Sequence, residues 1–418
     1  MSQAPERVVA KNVYKIFGEA HEAEAIRKLE SGASKDDVYR ETGSVVAVRD
    51  VSFKVYQGQI FVVMGLSGSG KSTLIRCINR LIDPTRGQIL LDGNDIMALD
   101  REQLRQIRLK KMAMVFQHFA LFPHKTVGEN VEYGLKIQGA AAAARRKKAL
   151  EALGMVGLRD WADTPPENLS GGMQQRVGLA RALAVDPELM LMDEPFSALD
   201  PLIRSDMQKE LIRLQHKLKM TIVFITHDLH EALTLGDQIA IMKAGAFVQV
   251  GPPEEIVANP ADEYVADFTK DVDRGRVFTV RRVMHAAEAL SLDGSSAAAA
   301  RTRLGELERD ALYVTDAEGK PVGLVTERDL GKADSQELGS VMHTRFPSTA
   351  PDAVLYDCFE ACGSGLPVAV VGEDGRLQGV LEPRDVFRAL RVGGDEAEST
   401  DTAAPAGRRP ADAQVQQA

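Results

Sequence analysis

The sequence predicts an α/β domain with a mostly parallel sheet, followed by a smaller α+β domain. Three observations carry that expectation. The apolar runs Ile60–Met64, Leu189–Met192 and Thr221–Ile225 are continuous rather than alternating, which is the pattern of strands buried on both faces. Between the last two runs, Ile203, Met207, Leu211, Leu214 and Leu218 fall on one face of a helix expected from Asp200 to Lys219. Finally, Leu312–Leu330 is repeated as Val368–Val386: Gly319, Gly323 and Asp329 recur 56 residues later as Gly375, Gly379 and Asp385. Each copy reads as a hairpin, a strand and the start of a helix.

Taken in order, the elements build a two-part chain, which suits 418 residues. Residues 19–42 interrupt two strand-like pieces, and Ile26 and Leu29 give them a weak helical face. Ser34-Lys35-Asp36-Asp37 reads as a capping box, so this segment is expected to be an inserted helical hairpin. Residues 44–65 read as strands that lead through a glycine-rich turn into a helix from Lys71 to about Leu81. The first domain is expected over 1–268, with a helical subdomain at about 100–187. A charged linker is expected at 269–276, the repeat domain at 277–392, and a disordered tail poor in large apolar side chains at 393–418.

Composition removes several function classes. Lys plus Arg is 51 and Asp plus Glu is 60, a net charge of −9, so there is no broad electrostatic footprint for nucleic acid. No apolar run approaches the ~20 residues that span a bilayer, and the N-terminus lacks the apolar core of a signal peptide. Three cysteines argue against a disulfide framework; Cys358 and Cys362 share a helix face without the neighbours a metal site needs.

The chemistry lies in two segments. Gly65-Leu66-Ser67-Gly68-Ser69-Gly70-Lys71-Ser72-Thr73 matches G-x-x-x-x-G-K-[ST] between a strand and a helix. Its backbone N–H groups turn inward around phosphates, Lys71 reaches the β- and γ-phosphates, and the Ser72 hydroxyl ligates Mg2+. Asp193 and Glu194 follow an apolar strand, with Asp193 122 residues after Lys71. The first carboxylate suits Mg2+ and the second suits activation of a water. Together these segments predict hydrolysis of a nucleoside triphosphate.

Leu169-Ser170-Gly171-Gly172-Met173-Gln174-Gln175-Arg176, with Ser170 23 residues before Asp193, narrows the class. With this segment the chain resembles the ATP-binding subunit of ATP-binding cassette (ABC) transporters, whose signature motif it matches. The resemblance implies a P-loop ABC ATPase domain that uses ATP and Mg2+. It implies that Ser197-Ala198-Leu199-Asp200 is the D-loop, His227 the switch histidine and Gln117 the Q-loop residue near Mg2+ and the attacking water. The segment His118–His124 would then meet a membrane partner. The adenine-stacking ring would be Phe17, with Tyr14 as competitor. The implied assembly is a head-to-tail homodimer in which Ser170, Gly171, Gly172 and Asp200 complete the partner's ATP site.

The hairpin at 19–42, the stretch Asn79–Gly87 and the C-terminal repeat together resemble the ATPases of glycine betaine/proline importers. That likeness implies permease subunits in the membrane, a periplasmic or surface solute-binding protein, and a peripheral location on the cytoplasmic face of the inner membrane. Importers of choline, carnitine or an amino acid, and non-transport ABC ATPases, are the alternatives. The repeat resembles tandem cystathionine-β-synthase (CBS) modules, and Gly323-Leu324-Val325-Thr326-Glu327-Arg328-Asp329 fits their nucleotide motif. In the second copy Glu382 and Pro383 replace the expected residues, so a carboxylate is expected to repel phosphate there. Such modules bind a nucleotide or sense ionic strength through anionic lipid, for which Arg274, Arg276, Arg281 and Arg282 form a basic cluster.

Overall fold

The computed structural model describes residues 4–18, 21–117, 121–197, 199–293, 295–330 and 337–391. The chain divides into two compact units after Thr279. Expected features at 118–120, at Ala198 and in the tail from 393 lie outside the described residues.

The first unit contains ten strands among its described residues: β1 (Glu6–Phe17), β2 (Val45–Tyr56), β3 (Ile60–Met64), β4 (Arg86–Leu91), β5 (Asn94–Asp95), β6 (Met112–Val115), β7 (Leu189–Asp193), β8 (Thr221–Thr226), β9 (Gln238–Lys243) and β10 (Ala246–Gly251). Six of them form one sheet in the order β10-β9-β3-β8-β7-β6, all parallel except for the edge strand β10. Its strands β3, β7 and β8 are buried at every position because both faces are covered. Ile60, Val62 and Met64 enter one core with Met190, Met192, Ile222 and Phe224, while Phe61 and Val63 enter the other with Leu189, Leu191, Val223 and Ile225. An antiparallel sheet, β2-β1-β4-β5, packs beside them.

The insertion forms two helices, Glu22–Glu30 and Lys35–Thr42. Ser34 and Asp37 make the reciprocal capping box, and Gly43 ends the second helix at φ 70°. Ala25, Ile26, Leu29 and Val38 pack on Tyr14, Ile16 and Val46, which fixes the hairpin to β1 and β2.

Four details depart from the sequence reading. The P-loop helix, Lys71–Ile78, stops three residues early, because Arg80 turns left-handed at φ 54° and Asn79 Oδ1 accepts from Leu81 N at 3.0 Å. The region 100–187 is not wholly helical: β6 pairs with β7 at the edge of the parallel sheet. On the helix Pro201–Leu218, Met207, Leu211 and Leu214 are buried, but Leu218 is exposed at its end. The segment 269–276 holds a helix end at Thr269 and a 3-10 turn over Arg274–Arg276.

The second unit has β11 (His285–Ala286), β12 (Ala289–Ser291), β13 (Ala311–Thr315), β14 (Pro321–Thr326), β15 (Ser348–Thr349), β16 (Val368–Val371) and β17 (Leu377–Leu381). The hairpins β13-β14 and β16-β17 are the two copies of the repeat. The segments that precede them are also alike, Val283-Met284-His285 and Val341-Met342-His343. They dock crosswise. Met342 seats on Gly323 of the first copy and His343 Nε2 lies 2.9 Å from Asp329; Met284 seats on Gly379 of the second and His285 Nε2 lies 2.7 Å from Asp385. A Cβ on Gly379 would stand 2.7 Å from His285 O, and one on Gly323 2.5 Å from the Met342 sulfur, so each glycine permits the close approach.

Candidate functional site

The site lies at the C-terminal ends of β3, β7 and β8, where a parallel sheet leaves its ligand crevice. The loop after β3 needs glycine for two physical reasons. Gly65, Gly68 and Gly70 have φ of 152°, 78° and 107°. A Cβ on Gly65 would also stand 2.2 Å from Met242 O, and one on Gly70 2.1 Å from Ala47 O. Leu66, Ser67 and Gly68 form the exposed crest, and Thr73 is part-buried in the helix behind them.

Lys71 is buried, and its ammonium donates to Gly65 O at 2.8 Å and Leu66 O at 3.1 Å. Burial lowers its pKa, opposed by the carboxylates of Glu194 and Asp193. Asp193 is also buried; its Oδ1 accepts from Ser72 Oγ at 2.8 Å and its Oδ2 from Arg76 at 3.2 Å. Glu194 follows in a left-handed conformation, φ 46°, rare for a residue with a side chain and characteristic of functional sites. Its backbone N–H donates to Ile225 O, while Oε1 lies 3.8 Å from Lys71 Nζ and Oε2 3.0 Å from His227 Nδ1. Gln117 Nε2 donates to Ser197 Oγ at 3.3 Å, and that hydroxyl donates to Glu194 O at 3.1 Å.

Hydrogen bonds therefore unite Ser72 with Asp193 and Glu194 with His227, Lys71 faces Glu194 as an ion pair at 3.8 Å, and Gln117 is joined through Ser197. The donor set fits a triphosphate with a divalent metal. Ser69 Oγ is buried without a hydrogen-bond partner, Lys71 is held in the loop by carbonyl oxygens, and the adjacent Ser72 and Asp193 oxygens are hard ligands of the kind Mg2+ takes.

None of these hydrogen bonds reaches Ser170, Gly171, Gly172, Asp200 or Phe17. Ser170 caps the helix Gly171–Ala184 through Met173 N at 3.3 Å, and Gly172 lies where a Cβ would meet Ile203 Cγ2 at 2.7 Å. Asp200 caps the next helix through Ile203 N at 3.0 Å. Phe17 ends β1 with its ring 42% exposed, whereas Tyr14 is 6% exposed and packs under the hairpin.

Sequence reasoning missed the supports around this cluster. Arg76 stands one helical turn after Ser72, and that i,i+4 spacing was the available signal. Arg204 donates to Leu199 O at 3.1 Å and to Asp228 at 3.3 Å, tying the segment after Glu194 to the one after His227. Buried Glu231 accepts from Thr226 Oγ1 at 2.6 Å; burial raises its pKa, which nothing in the sequence signals.

In the second unit, Asp329 accepts from Thr326 Oγ1 at 2.5 Å, and these hydrogen bonds with His343 hold its pKa down against the effect of burial. Glu382 does not stand as a bare repelling charge: it pairs with Arg309 and, at 2.6 Å, with Arg384. Pro383 serves as the first residue of the helix Pro383–Leu390, where its missing N–H costs nothing. The basic cluster is partly neutralised, since Arg276 pairs with Asp273 and Arg281 with Asp352.

Comparison with known proteins agrees with this geometry. The ABC transporter family model matches residues 48–197 and the CBS domain model residues 338–392. The chain is 46% identical over 393 residues to the glycine betaine transport ATP-binding protein OpuAA of Bacillus subtilis, covering 93% of this chain and 94% of the relative. It is equally identical over 396 residues to the glycine betaine/proline betaine transport system ATP-binding protein ProV of Salmonella typhimurium, covering 93% and 99%. Among solved structures, the dimeric post-hydrolysis ATP-binding cassette MJ0796 bound to ADP and Pi is 34% identical, with a TM-score of 0.50, covering 59% of this chain and 98% of that one. A P-loop cluster on a parallel sheet, a signature helix and a C-terminal CBS repeat thus occur together in one chain, which belongs to the ATP-binding proteins of ABC transporters, in the group that includes those of glycine betaine transport.

Proposed function

We propose that this chain energises import of glycine betaine and related quaternary-amine osmoprotectants, as the peripheral ATPase subunit on the cytoplasmic face of a membrane permease. The observation that carries the reading is a similarity that runs through both units, 93% of the chain, to proteins named for glycine betaine transport. A trimethylamine N-oxide transport protein of Pelagibacter ubique is 50% identical, but over only 68% of the chain. Other methylated amines are therefore the second reading. The permease would bring in a solute-binding protein.

Within this reading the P-loop N–H groups and Lys71 hold the β- and γ-phosphates of ATP, and Ser72, Asp193 and Gln117 hold Mg2+. When bound, Mg2+ neutralises charge on the phosphate oxygens. Glu194 takes the proton from the attacking water, with His227 orienting its carboxylate. Phe17 stacks on adenine, and Ser170, Gly171, Gly172 and Asp200 serve the ATP held by a second copy. Differential affinity of ATP for the closed pair moves the permease.

Three results test these assignments. Phe17→Ala is expected to weaken ATP binding about tenfold, the scale of one base–aromatic stack. Tyr14→Ala should lower the melting temperature instead, because it empties part of the hairpin core. Ser170→Arg should abolish cooperative hydrolysis while leaving ATP affinity within about threefold, since only a partner's nucleotide meets it. An affinity loss matching that of a Lys71 substitution would refute the head-to-tail assignment.

The transport reading is tested by ATPase activity in proteoliposomes with permease and solute-binding protein. Glycine betaine should stimulate turnover, more strongly as salt rises if the repeats regulate by charge pairing with lipid, which is screened over about 8 Å at 0.15 M. A response to another solute alone would discard the substrate. A salt response unchanged without residues 277–418 would discard the sensor.

A further inference from the structure

The hairpin insertion does more than cover the small sheet. With the β9–β10 turn it encloses a cavity of about 350 Å3 lined by Ser34, Lys35, Asp36, Arg49, Lys243, Ala244 and Ala246. Beyond Arg49 and Ala246 lies a second cavity of about 840 Å3, which is also away from the catalytic cluster.

In the smaller cavity three cations face one exposed carboxylate, Asp36. Among the described residues neither Lys35 nor Arg49 makes an ion pair, and Lys243 lies only over the Tyr264 ring, at 4.3 Å. Lys35 is half-buried; burial and the like charge of Arg49 push its pKa down, with Asp36 opposing. Of the acids lining the larger cavity, Glu30 pairs with Arg86 at 2.6 Å, while Asp50 accepts from the neutral Asn12 amide at 2.8 Å and keeps its charge. The helix start at Lys35 adds little, since its capping box satisfies the first N–H groups. Two half-buried cations, Lys35 and Arg49, with exposed Lys243 beside them and a single carboxylate, Asp36, in the same recess favour an anion with several acceptor oxygens.

The recess is wired to the P-loop. Arg49 N donates to Gly245 O at 2.7 Å, and Gly245 N donates to Ser69 O at 2.9 Å. Ala47, two residues before Arg49, is the residue whose carbonyl abuts Gly70. On the other side Lys243 lies over the Tyr264 ring, whose hydroxyl pKa the Leu66 backbone lowers against the effect of burial.

We propose that Lys35, Arg49 and Lys243 form a second anion site that binds a phosphoryl oxyanion, either free phosphate or the phosphate tail of a nucleotide, and that its occupancy is linked to nucleotide affinity at the P-loop. The site is independent of which solute is transported.

The test uses the full chain saturated with a non-hydrolysable ATP analogue and Mg2+, so that the P-loop is filled. Isothermal titration with inorganic phosphate, pyrophosphate and AMP should reveal one further equivalent per chain. Uptake of phosphate and pyrophosphate assigns a free oxyanion; uptake of AMP alone assigns a nucleotide tail. The double variant K35Q/R49Q should weaken that binding at least about tenfold, the scale of losing charge-assisted hydrogen bonds, with an unchanged melting curve. The affinity for the analogue should shift with phosphate in the natural chain and not in the variant, by reciprocity. No further equivalent of any probe at millimolar concentration, or one that K35Q/R49Q leaves intact, overturns the site. An analogue affinity indifferent to phosphate overturns the linkage.

Discussion

Replacing Glu194 by Gln is expected to leave ATP bound and to lower kcat by about 10²–10⁴-fold, the range for loss of a general base. The amide has the shape of the carboxylate and still faces His227 Nδ1, now at 3.0 Å from Oε2, and Lys71 Nζ, now at 3.8 Å from Oε1. What it lacks is the basicity to take a proton from water. The strained backbone at φ 46° is unchanged by the substitution, so the carboxamide is presented to the same place. Equilibrium ATP binding with single-turnover hydrolysis separates the two effects. A kcat within a few fold of the natural chain would remove Glu194 from the chemistry and turn attention to His227.

The second large effect is structural. Gly70→Ala should cost about 3 kcal/mol or more of stability and abolish nucleotide binding. The added Cβ would sit 2.1 Å from Ala47 O and 3.3 Å from Ala47 C at a φ of 107°. Ala47 cannot yield easily, because its neighbours Val46 and Val48 are buried in two different cores. Gly68→Ala is the control. Its φ is 78° but nothing lies within 4 Å of the new Cβ, so only the backbone penalty of about 1 kcal/mol applies. Chemical denaturation of both variants reads the difference directly. Equal losses would mean that conformation alone, and not the close approach to β2, requires glycine at position 70.

Much of the site was legible because its residues carry short-range physical demands. A phosphate-binding turn needs glycines, a lysine and a hydroxyl at set intervals, so Gly65–Thr73 is read directly from the chain. Asp193 and Glu194 were marked by the buried strand before them. Their supports were not marked. Arg76, Arg204, Thr226 and Glu231 act through contacts between elements far apart in sequence, and an arginine or threonine on a helix or strand has no pattern of its own. The strand β6 was hidden for a related reason: four residues directly after a helix are too short to show a period, and only pairing with β7 makes them a strand. Tyr14 and Phe17 are both aromatic on β1, three residues apart; the docked hairpin is what buries one ring and leaves the other open.

The repeat shows the same division within one motif. Sequence alone established that two copies exist, since Gly323 and Asp329 recur at Gly379 and Asp385. It gave no sign that the charge of Glu382 is met by Arg309, 73 residues away in the chain. The crosswise docking of His285 on Asp385 and His343 on Asp329 has no local signature either.

What the sequence by itself determined about this protein is therefore its covalent vocabulary: the parallel-sheet strands, the phosphate loop, the paired carboxylates, the signature helix and the duplication. These follow from burial periodicity and backbone conformation, which act over a few residues. The tertiary structure alone decided which partners neutralise each charge, which aromatic ring remains accessible, and which cations remain unpaired beside the hairpin. Those depend on distances between segments: a hydrogen bond is lost beyond about 3.5 Å, and Coulomb attraction weakens with distance and is screened over about 8 Å at 0.15 M salt.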